Sequence, residues 1–165
     1  KTFNSLFVTM LGLGKIKFIP GTFGSLATTI ILYYLFHKLN IAHNIILIIL
    51  IIIFIYSFYA VSSHIENSDD KDPGEIIIDE FLGQSIPIFL YEISHGTTKD
   101  GDEAIVYYTI FFILFRYFDI MKPFPVSYFD RNFKNSFGII MDDICAGFYV
   151  VVTLVCFVII KSYVL

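Results

Sequence analysis

The sequence predicts an all-α protein, a polytopic membrane helical bundle of about five spans with an N-terminal interfacial segment. Three observations carry this expectation. Charged residues fill only 16% of the 165 positions, where a soluble domain has roughly 25%. Mean hydropathy is +0.75. Asn44 to Ser63 contains no Asp, Glu, Lys or Arg, and a membrane span needs about 20 mostly apolar residues. The length suits a single domain, 1–165. A net charge of −4 and a pI near 5.4 argue against a nucleic-acid partner. Cys145 and Cys156 stand in apolar sequence without ligand spacing, so they are expected as buried apolar thiols.

The first 19 residues have the outline of a signal peptide, with Lys1 ahead of the apolar run Phe3 to Gly14. No A-x-A-like cleavage site follows, and Lys15 and Lys17 intervene, so an interfacial segment is expected. Hydropathy between charge boundaries then places spans at about 21–39, 44–63, 76–91, 104–121 and 139–160. Pro87 falls inside the third, where it would kink a helix. Spans three, four and five each carry charge near one end: Asp79 and Glu80, Arg116 and Asp119, Asp142 and Asp143. Facing lipid, such residues cost several kcal/mol, so they are expected to face the bundle interior or a wet cavity. With the N-terminus inside, the inner segments hold Lys1, Lys15, Lys17, Lys71, Lys122, Arg131 and Lys134, and the outer ones only Lys38, Lys99 and Lys161. The basic bias favours that orientation. Alternation then brings Pro20-Gly21-Thr22, Asp79-Glu80, Arg116 with Asp119, and Asp142-Asp143 to one face.

Adjacent carboxylates on a helix point about 100° apart, so one pair binds an ion poorly while two pairs on neighbouring helices can share one. Gly83 and Gly147 follow the two pairs at helical spacing and would let their helices approach closely. Crowded carboxylates need a divalent cation, and hard oxygen ligands favour magnesium, calcium or manganese over zinc. Magnesium is expected here, held by Asp79, Glu80, Asp142 and Asp143. Gly21-Thr22-Phe23-Gly24-Ser25 follows Pro20 at the mouth of span one, where free N–H groups and hydroxyls can hold phosphate. It lacks the lysine of a Walker A motif, and it also reads as a plain helix start. Asp72-Pro73-Gly74-Glu75 reads as a turn, with Glu75 four residues before Asp79 as an outer acid. Lys122-Pro123-Phe124-Pro125 breaks span four and opens a basic loop through Arg131 and Lys134. His37, His43 and His95 are expected in outer loops and His64 at the end of span two, none with ligand spacing.

These motifs together resemble the phosphatidylglycerophosphatase A family. The resemblance runs through Pro20 to Leu26, Asp72-Pro73-Gly74-Glu75 into Ile78-Asp79-Glu80 and Gly83, Arg116 to Ile120 with Lys122-Pro123 and Pro125, and Gly138-Ile139 with Asp142-Asp143 and Ala146-Gly147. The order is the family's, from about residue 12 to 147. The resemblance implies a bacterial inner-membrane, magnesium-dependent enzyme with an all-helical fold. Its reaction would remove the terminal phosphate of phosphatidylglycerol phosphate to leave phosphatidylglycerol. One departure is that Asn135-Ser136 stands where the family usually has paired glycines.

The residues themselves suit that chemistry. Phosphate monoesters hydrolyse extremely slowly unaided, so charge neutralisation and an aligned water are the main requirements. Asp119 or one of the metal-holding acids, such as Asp143, would act as base. Thr22, Ser25, Arg116 and Lys122 would bind phosphate. The chain lacks a Cys-x5-Arg loop and a Ser-x-His pairing beside basic residues, which favours metal-assisted water attack. A phospholipid substrate fits, since its headgroup can reach a site at the membrane surface while its tails stay in the bilayer. A cation transporter, with acids nearer the midplane, and a non-catalytic membrane scaffold remain open at this point.

Overall fold

The computed structural model describes residues 2–66, 73–95 and 101–164. Lys1, Lys71, Asp72 and Lys99, which entered the topology and turn arguments, lie outside the described residues. Every regular element described is helical. Helix α1 is Thr2–Val8, followed by a short 3-10 turn at Leu13–Lys15. Helix α2 is Pro20–Tyr33, extended by a π turn through Tyr34–Lys38. The long helices α3 (His43–Ile65), α4 (Ile78–His95) and α5 (Gly101–Met121) come next. A short α6 (Val126–Asn132) then leads into α7 (Ser136–Val164).

Helix boundaries follow local chemistry. Pro20 occupies the first position of α2, where its missing N–H costs nothing. No side-chain cap precedes it; the preceding Ile19 turns left-handed at φ 44°. Ile77 N–H donates to the Val8 carbonyl at 3.0 Å, which ties the end of α1 to the start of α4. Because α4 begins only at Ile78, Glu75 is not on its face beside Asp79 as the spacing suggested. Glu75 instead meets His64 Nε2 at 2.8 Å. The π turn likewise draws His37 out of the expected outer loop, and its Nε2 reaches Glu92 Oε1 at 3.0 Å. His43 opens α3 and His95 closes α4, so these two are also helical.

Helix α4 is the axis of the bundle, packed by α2, α3, α5 and α7. Its buried residues include both polar side chains, such as Asp79, Gln84 and Glu92, and apolar ones, such as Phe81, Leu82 and Ile88. Helix α3 shows the opposite pattern: Ile48, Ile52, Ile55 and Tyr59 are all more than half exposed. An apolar face that turns outward along a 23-residue helix suits a hydrocarbon solvent. By length and composition α3, α5 and α7 can each cross a membrane. Helix α4 has 18 residues but carries Asp79, Glu80 and Glu92, and α2 reaches 14 residues before its π turn.

The α4–α7 contact depends on two glycines. A Cβ on Gly83 would collide with the backbone carbonyl of Asp143, and one on Gly147 with the carbonyl of Gly83. Neither obstacle is a flexible side-chain end, so the helices would have to separate. Gly83→Ala and Gly147→Ala are expected to cost about 1–3 kcal/mol each by overpacking, which lowers the melting temperature in detergent by several degrees. Gly74→Ala, with open space around its Cβ position, should melt with the parent. Equal melting of all three variants would contradict the close approach.

Candidate functional site

Asp79 and Glu80 occupy the first turn of α4, and the glycine contact carries the Asp143 turn of α7 against it. Carboxylate oxygens of Asp79, Glu80 and Asp143 lie within 4.8 Å of one another. Asp79 and Asp143 are buried and Glu80 is half-buried. Asp79 Oδ1 and Glu80 Oε2 are inaccessible and accept no hydrogen bond. Three converging acids with orphaned oxygens are costly unless a cation joins them. All the donors are hard oxygens, so the group fits a divalent cation such as magnesium.

The fourth acid expected in this set faces elsewhere. Asp142 Oδ2 meets Lys122 Nζ at 3.0 Å, and its Oδ1 accepts the Asp143 N–H at 3.0 Å. Asp142 thus turns toward Lys122, while Asp143 joins the acids of α4. Lys122 Nζ also meets Asp130 Oδ1, from α6, at 2.6 Å. Burial works against the Lys122 charge, but hydrogen bonds and attraction from Asp130 and Asp142 outweigh it and hold its pKa above the usual lysine range. The stability from this raised pKa is therefore present below the ordinary lysine value, about 10.4, and is lost only as pH climbs through the folded value.

On the other flank, Arg116 Nη1 pairs with Asp119 Oδ2 at 2.6 Å and approaches Ser25 Oγ at 3.5 Å. Ser25 donates its own hydroxyl proton to the Gly21 carbonyl at 2.9 Å. Gly21 leaves room here for two side-chain ends: a Cβ on it would meet Glu80 Oε1 and lie 3.2 Å from Arg116 Nη1. The first turn of α2 thus offers a surface against which Glu80 and Arg116 both lie. Thr22 is in the same turn, half-buried. The structure therefore brings the four sequence clusters to one place, in two subgroups: the acids with Arg116 and the α2 turn, and Lys122 with Asp130 and Asp142.

Three residues escaped sequence reasoning. Asp130, in α6, belongs to the stretch expected as a basic loop, and nothing in its spacing points to Lys122. Gln84 is uncharged and invisible to a search for charge in apolar segments. Glu92 lies just past the expected end of span three; it accepts hydrogen bonds from Tyr108 OH at 2.8 Å as well as facing His37.

A family model described as Phosphatidylglycerophosphatase A matches residues 6–158. A Phosphatidylglycerophosphatase A of Haemophilus influenzae is 37% identical over 141 residues, 86% of this chain and 80% of that one. A Bacteroides thetaiotaomicron protein provisionally named a phosphatidylinositol-3-phosphatase is 33% identical over 86% of this chain and 84% of its own length. A Phosphatidylglycerophosphatase A of Escherichia coli is 30% identical over 82% of this chain and 72% of its own. No solved structure matches the chain at a significant level.

The Lys122 network has a measurable consequence. Lys122→Met leaves Asp130 and Asp142 without their cation and is expected to cost about 1–2 kcal/mol, the lower range for a partly exposed charged contact. Adding Asp142→Asn should recover part of that loss in a double-mutant cycle read by thermal unfolding. Strictly additive losses would show that the two residues do not interact.

Proposed function

The chain belongs to the phosphatidylglycerophosphatase A family, and from that premise we propose that it hydrolyses the terminal phosphate monoester of phosphatidylglycerol phosphate in a magnesium-dependent reaction. The products are phosphatidylglycerol and inorganic phosphate. That the protein is a lipid phosphatase follows from its relatives. The observation that carries the finer reading is the convergence of Asp79, Glu80 and Asp143 with two cationic side chains in one partly buried site.

Asp79, Glu80 and Asp143 would hold the cation. When bound, it offsets charge on the phosphoryl oxygens and makes water a better nucleophile. Arg116 and Lys122 neutralise the remaining phosphate charge, and Lys122 does so by exchanging a carboxylate contact for a phosphate oxygen. Thr22 and Ser25 line the α2 turn on the phosphate side, Ser25 acting through Arg116. Asp119, held by Arg116, takes the proton of the attacking water as the new P–O bond forms. It returns that proton to the glycerol oxygen as the ester bond breaks. Asp143 faces the same space and limits the direction from which water arrives.

The whole chain, 1–165, serves as one domain with five spans. Helices α2 and α4 complete the set begun by α3, α5 and α7, since a charged helix can cross when its acids face the bundle. The seven-to-three bias of basic residues supports a cytoplasmic N-terminus and a cytoplasmic site in a bacterial inner membrane. A phosphoinositide monoester is a second reading, favoured by the name of the Bacteroides relative; its phosphate would meet the same groups.

Purified protein should release phosphate from phosphatidylglycerol phosphate with magnesium and stop reversibly on chelation. Phosphatidylinositol 3-phosphate, assayed beside it, should turn over more slowly. Asp79→Asn and Asp143→Asn should each lose at least about 100-fold in rate, as removal of a charge contact made in the transition state does. Apo-protein stability should hold or rise, because repulsion among the acids is relieved. Asp102→Asn, on the exposed start of α5, should change neither. Full turnover in excess chelator, with tightly bound metal excluded, would overturn the metal reading; ion flux without phosphate release would favour a transporter.

Topology has its own check. In a background lacking Cys145 and Cys156, single cysteines near Lys71 and Arg131 should label from the cytoplasm, and one near Lys99 from the other side. Opposite labelling of the Lys71 and Arg131 positions would break the shared site.

A further inference from the structure

Gln84 is 0% exposed, and among the described residues neither its Oε1 nor its Nε2 has a hydrogen-bond partner. A carboxamide deep in a bundle with both ends unpaired is a standing penalty, because each group has given up water for nothing. Leucine fills nearly the same volume without that penalty. Retention of the amide calls for a partner that protein atoms do not supply.

Its position on α4 indicates where that partner lies. Gln84 follows Glu80 by four residues on α4, so the two share a face one turn apart. Among the described residues Glu80 Oε2 is itself buried and unpartnered, and so is Arg116 Nε. Glu80 and Arg116 both lie against Gly21 in the first turn of α2. Gln84 is thus one helical turn from an acid of the cluster whose own oxygen lacks a partner.

We propose that Gln84 Oε1 is a further ligand of the divalent cation held by Asp79, Glu80 and Asp143, a role that rests on the metal-dependent reading above. Charge favours a neutral ligand in this place. Three carboxylates already exceed the charge of one divalent ion, and Asp142 is taken up by Lys122. An amide oxygen adds a hard donor without further repulsion. Its Nε2 remains free to donate to a carboxylate of the same cluster, a pairing that residues four apart on a helix can make.

The test uses the full chain in detergent, with magnesium alone as the probe, and follows the melting temperature as magnesium is titrated. Gln84→Leu should melt at or above the parent without metal, and its magnesium midpoint should rise about tenfold or more. Gln84→Glu restores an oxygen and should bring the midpoint back to the parent's or below, while lowering apo stability by adding a fourth charge. If Gln84→Leu does not fold, Gln84→Met takes its place. Magnesium titrations of the parent and the apolar variant that superimpose would overturn the proposal and make Gln84 a structural amide. A parent that does not respond to magnesium at all would remove the metal-dependent reading itself, and is recognised because it involves no variant.

Discussion

The contact between α4 and α7 at Gly83 and Gly147 is the constraint on which the remaining arrangement depends. Two helices that meet through side chains keep their axes 8–10 Å apart as a rule of thumb. Here the backbones touch, since there is no room for a Cβ on either glycine. That approach brings Asp143 within reach of Asp79 and Glu80. Asp has a short side chain, so this close approach helps an Asp on α7 to reach the acids of α4. The same packing that stabilises the bundle therefore assembles the group that destabilises it.

That opposition is managed by dividing the charges into two sets. Asp119, Asp130 and Asp142 each have a cation within 3.0 Å, through Arg116 or Lys122. Among the described residues, Asp79, Glu80 and Asp143 are left to one another, and Asp79 Oδ1 and Glu80 Oε2 accept no hydrogen bond. A fold selected only for stability would pair the second set too, or replace it. The unpaired set is the group whose chemistry suits a divalent cation, and the paired set holds the cationic side chains Arg116 and Lys122.

Much of this was legible in the sequence, and the exceptions have physical causes. Three of the expected spans became helices long and apolar enough to cross a membrane: the stretch 44–63 became His43–Ile65, and 104–121 became Gly101–Met121. The small-residue spacing of Gly83 and Gly147 correctly foretold a close helix contact. What periodicity cannot see is where a helix begins within its charged end. Glu75 is separated from Asp79 by a helix start at Ile78, and that start depends on a hydrogen bond to distant Val8. Choice within adjacent pairs is equally hidden. Asp142 and Asp143 look equivalent in sequence, and only the direction of α4 and the reach of Lys122 tell them apart. Asp130 and Gln84 lacked any local pattern, because their roles arise from neighbours far along the chain.

Two buried polar groups on one helix show how structural and ligand-directed polarity differ. Glu92, near the C-terminal end of α4, is 5% exposed, yet it meets both His37 and Tyr108. Those contacts join α2, α4 and α5 through polar atoms that are paired within the protein, as a buried group held for rigidity should be. Gln84, two turns earlier on the same helix, is fully buried and meets neither condition. Burial and polarity are alike in the two cases, and local sequence does not separate them. The difference lies in whether the protein completes the hydrogen bonds itself. By that criterion α4 completes its polar contacts at the Glu92 end, whereas at the Glu80 end polar atoms of Glu80 and Gln84 have no partner among the described residues.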